Sequence, residues 1–395
     1  MIGKKSPSFP TLHGGETRLA AERQLSLPPH DSLQAALSLA FTPGVGPKIR
    51  MALVERFGSP EAVLAASPQQ WRETPGVGAK LANNLANAQR DFDLEALLQL
   101  CQKEAVDLLV HGLSDRYPQR LQEIDDPPPV LFCQGEVLPQ DALAVAIVGT
   151  RHATQYGKKQ AENLAAGLAR AGVTVISGLA RGIDAAAHRG ALQAGGRTLA
   201  VLGGGVLKMY PPEHRELAEE VRKQGALLSE TPPDVPPAGG NFPRRNRIIS
   251  GMSLGVLVVE AAERSGSLIT AEHAASQNRD VFAVPGRVDT PVARGCHGLI
   301  REGAKLVESV DDILEELGPV VQTTPVGERT VRRPAELQLN EQEQQIFAAI
   351  DSEPTSIDRV ASQAGLPIHR VLATINVLEM RRLIRKVSGN YVVRS

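Results

Sequence analysis

The chain has 395 residues, 42% hydrophobic and 22% charged, with a formal net charge of −1. That length allows two or three globular domains, and the charge excludes a chain that is basic overall, so any polyanion site must be a local cluster. Aromatic residues make up only 3%, with Trp71 the single tryptophan, so a nucleic-acid partner would be held mainly through its phosphates and not by extended base stacking.

Cys101, Cys133 and Cys296 are widely separated and form no zinc or disulfide pattern, which fits structural thiols in a reducing cytoplasm. No stretch approaches the roughly 18 apolar residues of a membrane span. Residues 1–30 are polar, punctuated by Pro and Gly and without an apolar signal-peptide core. They read as a disordered tail.

Residues 31–104 read as short helices with an internal repeat. FTPGVGPK and ETPGVGAK align Gly44 and Gly46 with Gly76 and Gly78, and Lys48 with Lys80. Each unit resembles a helix-hairpin-helix motif, in which glycines let the first amides of the second helix approach a DNA phosphate. These six residues are therefore secondary DNA-binding candidates, with Arg50 adding positive charge. The alternative is that PGVG is only a tight turn in a helical bundle.

From 105 to 318, short β-branched runs alternate with helical patterns. ALAVAIV (142–148) is a continuous apolar run suited to a strand covered on both faces, and a helical stretch after it stops at Gly172. Strands are expected at VTVIS (173–177), TLAVLGGG (198–205), ALLSE, LGVLVVEA (254–261) and VFAVPG. Helices are expected after SGLARG, near 212–224, over NFPRRNR and over SLITAEHAASQNR. The alternation implies parallel βαβ units and an α/β fold: a central extended Rossmann-like, doubly wound, mostly parallel sheet.

A polar linker (319–336) precedes residues 337–395, which read as a winged helix. A helix starts at Ser356-Ile357-Asp358, AGLPIHR turns, VLATINVLEMRRL is the second helix, and Ser388-Gly389-Asn390 turns a hairpin. Arg370, Arg381, Arg382, Arg385 and Lys386 are positioned to contact duplex backbone. A protein-docking module is the other reading.

Ligands of open α/β sheets bind beyond the carboxyl ends of the strands. There lie Gly149, Thr150 and Arg151; Gly178 and Arg181; the triple glycine 203–205; and Ser267 at a helix start. Small residues at helix N-termini with interspersed arginines form a phosphate cradle. A nucleotide-processing enzyme acting at 203–205 competes with this reading, although neither the GxGxxG nor the GxxxxGK[ST] pattern is found at these loops. Asp184 and His188, four apart on one helix, resemble an acid–base pair, but a core or capping role for Asp184 is preferred. Glu260 and Glu263 lack a third metal ligand. No catalytic residue, metal site or cofactor is assigned.

VGTRHATQYG (148–157), SGLARGIDAAAHRGAL (177–192), AVLGGGVLKMYPPEH (200–214), NFPRRNRIISGMS (241–253) and VVEAAERSGSLITAEHA (258–274) resemble, in order and spacing, the motifs of the DNA-processing protein A (Smf) family. The resemblance implies a non-enzymatic, sequence-independent single-stranded DNA-binding protein. Such a protein shields incoming DNA in natural transformation, loads a RecA-type recombinase and forms a homodimer through its Rossmann-like domain. It also implies DNA contacts at Gly149, Thr150 and Arg151, and at Phe242, Arg244, Asn246 and Arg247. Arg245 fills a variable place, so Arg244 and Arg247 are preferred over it. A duplex-DNA regulator acting through the winged helix remains the alternative from a different class.

Overall fold

The computed structural model describes residues 29–318, 324–326, 329–331, 341–350, 355–380, 383–387 and 391–394. The N-terminal tail up to residue 28, much of the linker, Arg381, Arg382 and the turn at Ser388-Gly389-Asn390 lie outside the described residues.

The described chain opens with α1 (His30–Phe41), α2 (Pro47–Phe57), α3 (Pro60–Ala65), α4 (Pro68–Arg72), α5 (Ala79–Asp91) and α6 (Leu94–Lys103). Both PGVG segments are turns whose last glycine caps α2 or α5. Gly44 and Gly76 adopt φ of +91° and +87°, a left-handed conformation that costs glycine nothing. The repeats face each other, since a Cβ on Gly44 would meet Leu81 and one on Gly76 would meet Ile49.

The next elements are β1 (Asp107–Val110), α7 (Gln119–Gln122), β2 (Val130–Gly135), β3 (Ala144–Val148), α8 (Gln155–Arg170), β4 (Thr174–Ser177), α9 (Ile183–Gln193) and β5 (Thr198–Val201). They are followed by α10 (Arg215–Gln224), β6 (Ala226–Ser229), α11 (Asn241–Gly251), β7 (Gly255–Val258), α12 (Gly266–Ser276), β8 (Asp280–Ala283), α13 (Arg294–Arg301), β9 (Lys305–Leu306) and α14 (Val310–Leu317). Among the described residues they form a nine-stranded sheet in the order β1-β2-β6-β5-β4-β3-β7-β8-β9.

From β6 to β9 every pairing is parallel, whereas β1 and β2 extend the β6 edge antiparallel. The expected α/β class holds, with this antiparallel edge as an addition.

Alternation along β3 divides the core. Ala144, Ala146 and Val148 join Ile248 and Ile249 of α11 and Met252 just after it on one face, while Val145 and Ile147 join Leu164 and Leu168 of α8 on the other. A third cluster seats Leu33 and Leu37 of α1 against Phe132 of β2, joining the helical unit to the sheet. The strand order reverses beside β3, where β4 lies on one side and β7 on the other, so the crevice between the β3 and β7 ends is the topological switch point.

The remaining elements are β10 (Thr324–Val326), β11 (Arg329–Val331), α15 (Glu341–Ala348), β12 (Thr355–Ser356), α16 (Ile357–Ala364), α17 (Ile368–Met380), β13 (Ile384–Val387) and β14 (Tyr391–Arg394). The sheet order β12-β14-β13 with α16 and α17 is a winged helix with its own core, in which Ile346, Val360, Ile375 and Val392 meet. No helix among the described residues is long and apolar enough to cross a membrane.

Candidate nucleic-acid interface

A cavity of about 540 Å³ opens at the switch point, lined among others by Gly149, Thr150, Arg151, Phe242, Arg245 and Ser267. The loop after β3 forms one wall. Its Thr150 amide donates to the Glu260 carbonyl two residues beyond β7, 2.7 Å away, and its Thr150 carbonyl accepts from Ile183 N at 3.3 Å. Gly182 (φ +78°) caps α9 so close to this loop that a Cβ would sit 2.3 Å from the Thr150 oxygen. The α12 N-terminus forms another wall, with the Ser265 and Ser267 hydroxyls 2.7 Å apart. The α12 start thus brings a partial positive charge to the cavity, whereas the α9 start is turned on the Thr150 carbonyl and lines the cavity with the Asp184 carboxylate.

The arginines of α11 divide by depth. Arg245 is 5% exposed and passes beneath the cavity, where its Nη1 donates to the Gly178 carbonyl at 2.9 Å and to that of Val201. Its Nε has no hydrogen-bond partner among the described residues. Burial pulls its guanidinium down to about 10, against the pull of Asp184, so it stays cationic at neutral pH. Arg151, by contrast, is exposed, with its guanidinium 5.2 Å from the Phe242 ring centroid. Asn246 also lines the cavity and ties α11 to α12 through Nδ2 and the Gly266 carbonyl at 3.2 Å.

Arg247, expected at the phosphates, instead lies 2% exposed inside the fold. Its Nη2 meets Glu230 Oε2 at 2.6 Å and its Nε meets Asp126 Oδ2 at 3.0 Å. Arg244 is half exposed but pairs with Glu230 at 3.2 Å, and neither it nor Arg247 lines the cavity. Of the three, Arg245 is the one that lines the cavity, although the sequence reading prefers Arg244 and Arg247 over it. Helical spacing is the reason, because Arg245 and Arg247 differ by about 200° around the axis and reach different surroundings. Asp126 and Glu230, remote in sequence, carry no local signal of their role.

Gly178 and Arg181 border a cleft beside the cavity, together with Tyr210 and Phe242. A Cβ on Gly178 would lie 2.4 Å from both Arg245 terminal nitrogens, so the guanidinium needs glycine there. Tyr210, inside the motif 200–214, had no assigned role from sequence. Its ring lies 5.8 Å from that of Phe242.

The triple glycine has a packing role. Gly203–Gly205 are buried, a Cβ on Gly205 would lie 2.1 Å from the Pro232 carbonyl oxygen, and the Gly205 amide donates to Val235. Those glycines admit the covering chain and present no open phosphate loop.

Asp184 accepts from the Gly178 and Ala180 amides, a capping role of the kind preferred for it from sequence, while His188 pairs with Thr198 Oγ1 at 2.7 Å; both are buried. Glu260 holds Thr154 at the start of α8 through the Thr154 amide and hydroxyl. In the helical unit, Gly44, Gly76, Gly78, Lys48 and Lys80 are exposed and Gly46 is half-buried. Arg50 is buried on the Pro127 carbonyl at 3.0 Å and adds no surface charge.

The profile described as DNA recombination-mediator protein A matches residues 109–318. The DprA winged helix domain matches 330–390, and the SAM-like helix-hairpin-helix tandem matches 37–91. The chain is 43% identical to protein Smf of Escherichia coli over 72% of this chain and 76% of that one. It is 35% identical to protein Smf of Synechocystis over 88% and 94% of the two chains. The X-ray structure of DNA processing protein A from Streptococcus pneumoniae superposes with a TM-score of 0.63 at 35% identity, covering 73% of this chain and 99% of that one. With a profile spanning the whole switch-point domain and relatives aligned over most of their length, the chain belongs to the DNA recombination-mediator protein A family, also called Smf.

Proposed function

We propose that the switch-point cavity binds single-stranded DNA through its phosphates, without regard to sequence, and that the protein acts by binding and not by turnover. The observation that carries this reading is the convergence of exposed Arg151, buried cationic Arg245 and the N-terminus of α12 on one cavity. Fixed donors of this kind recognise phosphate, and the Phe242 ring beside Arg151 supplies a face for one base. Family membership supports the wider role: shielding an incoming strand, passing it to a RecA-type recombinase, and working as a homodimer through the Rossmann-like domain in the cytoplasm.

The test is fluorescence anisotropy with labelled oligothymidylate and with duplex of the same length across a salt series. Single strands should bind more tightly than duplex, with affinity falling steeply as salt rises. Arg151→Ala should weaken binding about ten-fold and reduce the salt slope by about 0.7, the value for one lost phosphate contact on a single strand. Unchanged affinity and slope in that variant would remove the cavity from the account. Release of base or phosphate from mononucleotides above a protein-free blank would show turnover and overturn the binding-only reading.

A further inference from the structure

Outside the cavity mouth, the cleft formed by Arg151, Phe242, Tyr210 and Arg181 has an ordered composition. The Arg151 guanidinium stands 5.2 Å from the Phe242 centroid, the Phe242 and Tyr210 rings are 5.8 Å apart, and the Arg181 guanidinium is 5.9 Å from Tyr210. The result is a row of cation, ring, ring and cation leading away from the switch point. The two rings are inclined at 53°, so a single flat base cannot cover both. Tyr210 is 41% exposed in a chain with only four tyrosines and one tryptophan.

Arg181 is not free. Its Nε contacts Glu213 Oε1, with side chains 47% and 49% exposed respectively. An ion pair this exposed is weak and exchanges readily for another anion. A phosphate reaching Arg181 would displace Glu213 and, until it did, would be repelled by it.

We propose that Tyr210 and Arg181 form a second nucleotide subsite, adjoining the cavity, in which Tyr210 stacks a base and Arg181 takes a phosphate, and that Glu213 occupies this subsite in the free protein as a competing anion. The proposal rests on the cavity itself binding single-stranded DNA. It gives the strand a path, from the cavity over Phe242 and across Tyr210 towards the start of α10. It also makes the strength of binding adjustable at Glu213, a residue that contacts no DNA.

The experiment measures anisotropy of oligothymidylates from two to ten nucleotides on the full-length chain. Tyr210→Leu is expected to weaken the longer oligonucleotides about ten-fold and to leave the shortest unchanged, because loss of one stacked base is felt only by strands long enough to reach it. Tyr210→Phe, which keeps the ring but loses the hydroxyl bonded to Arg181, should weaken long strands far less than Tyr210→Leu. Arg181→Gln should lower the salt slope by about 0.7 for long strands only. Glu213→Gln should bind long strands several-fold more tightly than the parent and leave the shortest unchanged, a length dependence that a general loss of negative charge would not produce.

The subsite is overturned if Tyr210→Leu and Glu213→Gln match the parent at every length, or if Tyr210→Leu weakens all lengths equally. Should Tyr210→Leu unfold, as read by far-UV circular dichroism, the surface substitution Glu213→Gln still decides. A parent protein that binds no single strand, or an Arg151→Ala variant that binds like the parent, identifies failure of the cavity reading instead and takes the subsite with it.

Discussion

Replacing Arg247 with alanine should damage stability and leave the DNA cavity intact. The Arg247 side chain is 3% exposed and stands between Glu230, 11% exposed, and Asp126, 28% exposed. Removing one partner of a buried ion pair costs about 3–5 kcal/mol, because the charges left behind are neither solvated nor paired. Partial solvation of Asp126, and Arg244 still standing 3.2 Å from Glu230, place the expected loss at the lower end, about 3 kcal/mol.

With an unfolding entropy of about 2.1 cal/mol/K per residue, residues 29–318 carry roughly 0.6 kcal/mol/K, so Tm should fall by about 5 °C. Calorimetry on Arg247→Ala, alongside anisotropy at a temperature where the variant is folded, separates the two roles. Adding Glu230→Gln and Asp126→Asn should recover part of the loss by removing the stranded carboxylates. A Tm within about 1 °C of the parent, combined with weakened DNA binding, would refute this reasoning and return Arg247 to the phosphate contacts.

Two more outcomes follow from the same packing. Gly178→Ala should lower both Tm and DNA affinity by displacing Arg245, whereas Gly46→Ala, whose Cβ would meet nothing within 4 Å, should lower Tm only by the small cost of alanine at a helix N-cap; equal melting of the two variants would contradict the contact. Burial of His188 pushes its imidazole down to about 3, below its ordinary 6.5, so the native state binds fewer protons than the unfolded chain between those values. Stability should therefore fall as pH drops through that window, with a slope approaching 1.4 kcal/mol per pH unit. Tm measured against pH should flatten in His188→Asn, and an unaltered slope would assign the acid sensitivity elsewhere.

Much of the fold was legible from local pattern. Continuous apolar runs such as AVAIV mark strands covered on both faces, and Gly172 after a helical stretch marks a stop, because these signals arise within a few residues of chain. The rule that ligands bind at strand ends groups Gly149, Thr150, Arg151 and Ser267 from sequence alone, and all four line one cavity. Less visible was the antiparallel edge of β1 and β2, whose pairing with β6 joins segments almost a hundred residues apart.

What the sequence determined by itself is the set of parts: a repeated helical hairpin, a doubly wound sheet, a winged helix and a loop chemistry suited to phosphate. Only the tertiary structure decided which arginine of the cluster serves which purpose. Arg245, Arg247 and Arg244 are neighbours in sequence, yet one underlies the cavity, one is locked between Asp126 and Glu230, and one shares Glu230 at the surface. Local sequence specifies that a guanidinium is present. Its partners come from the chain just after β6 and from the chain beyond α7, and burial among those partners sets whether its charge faces the cavity or holds the fold together.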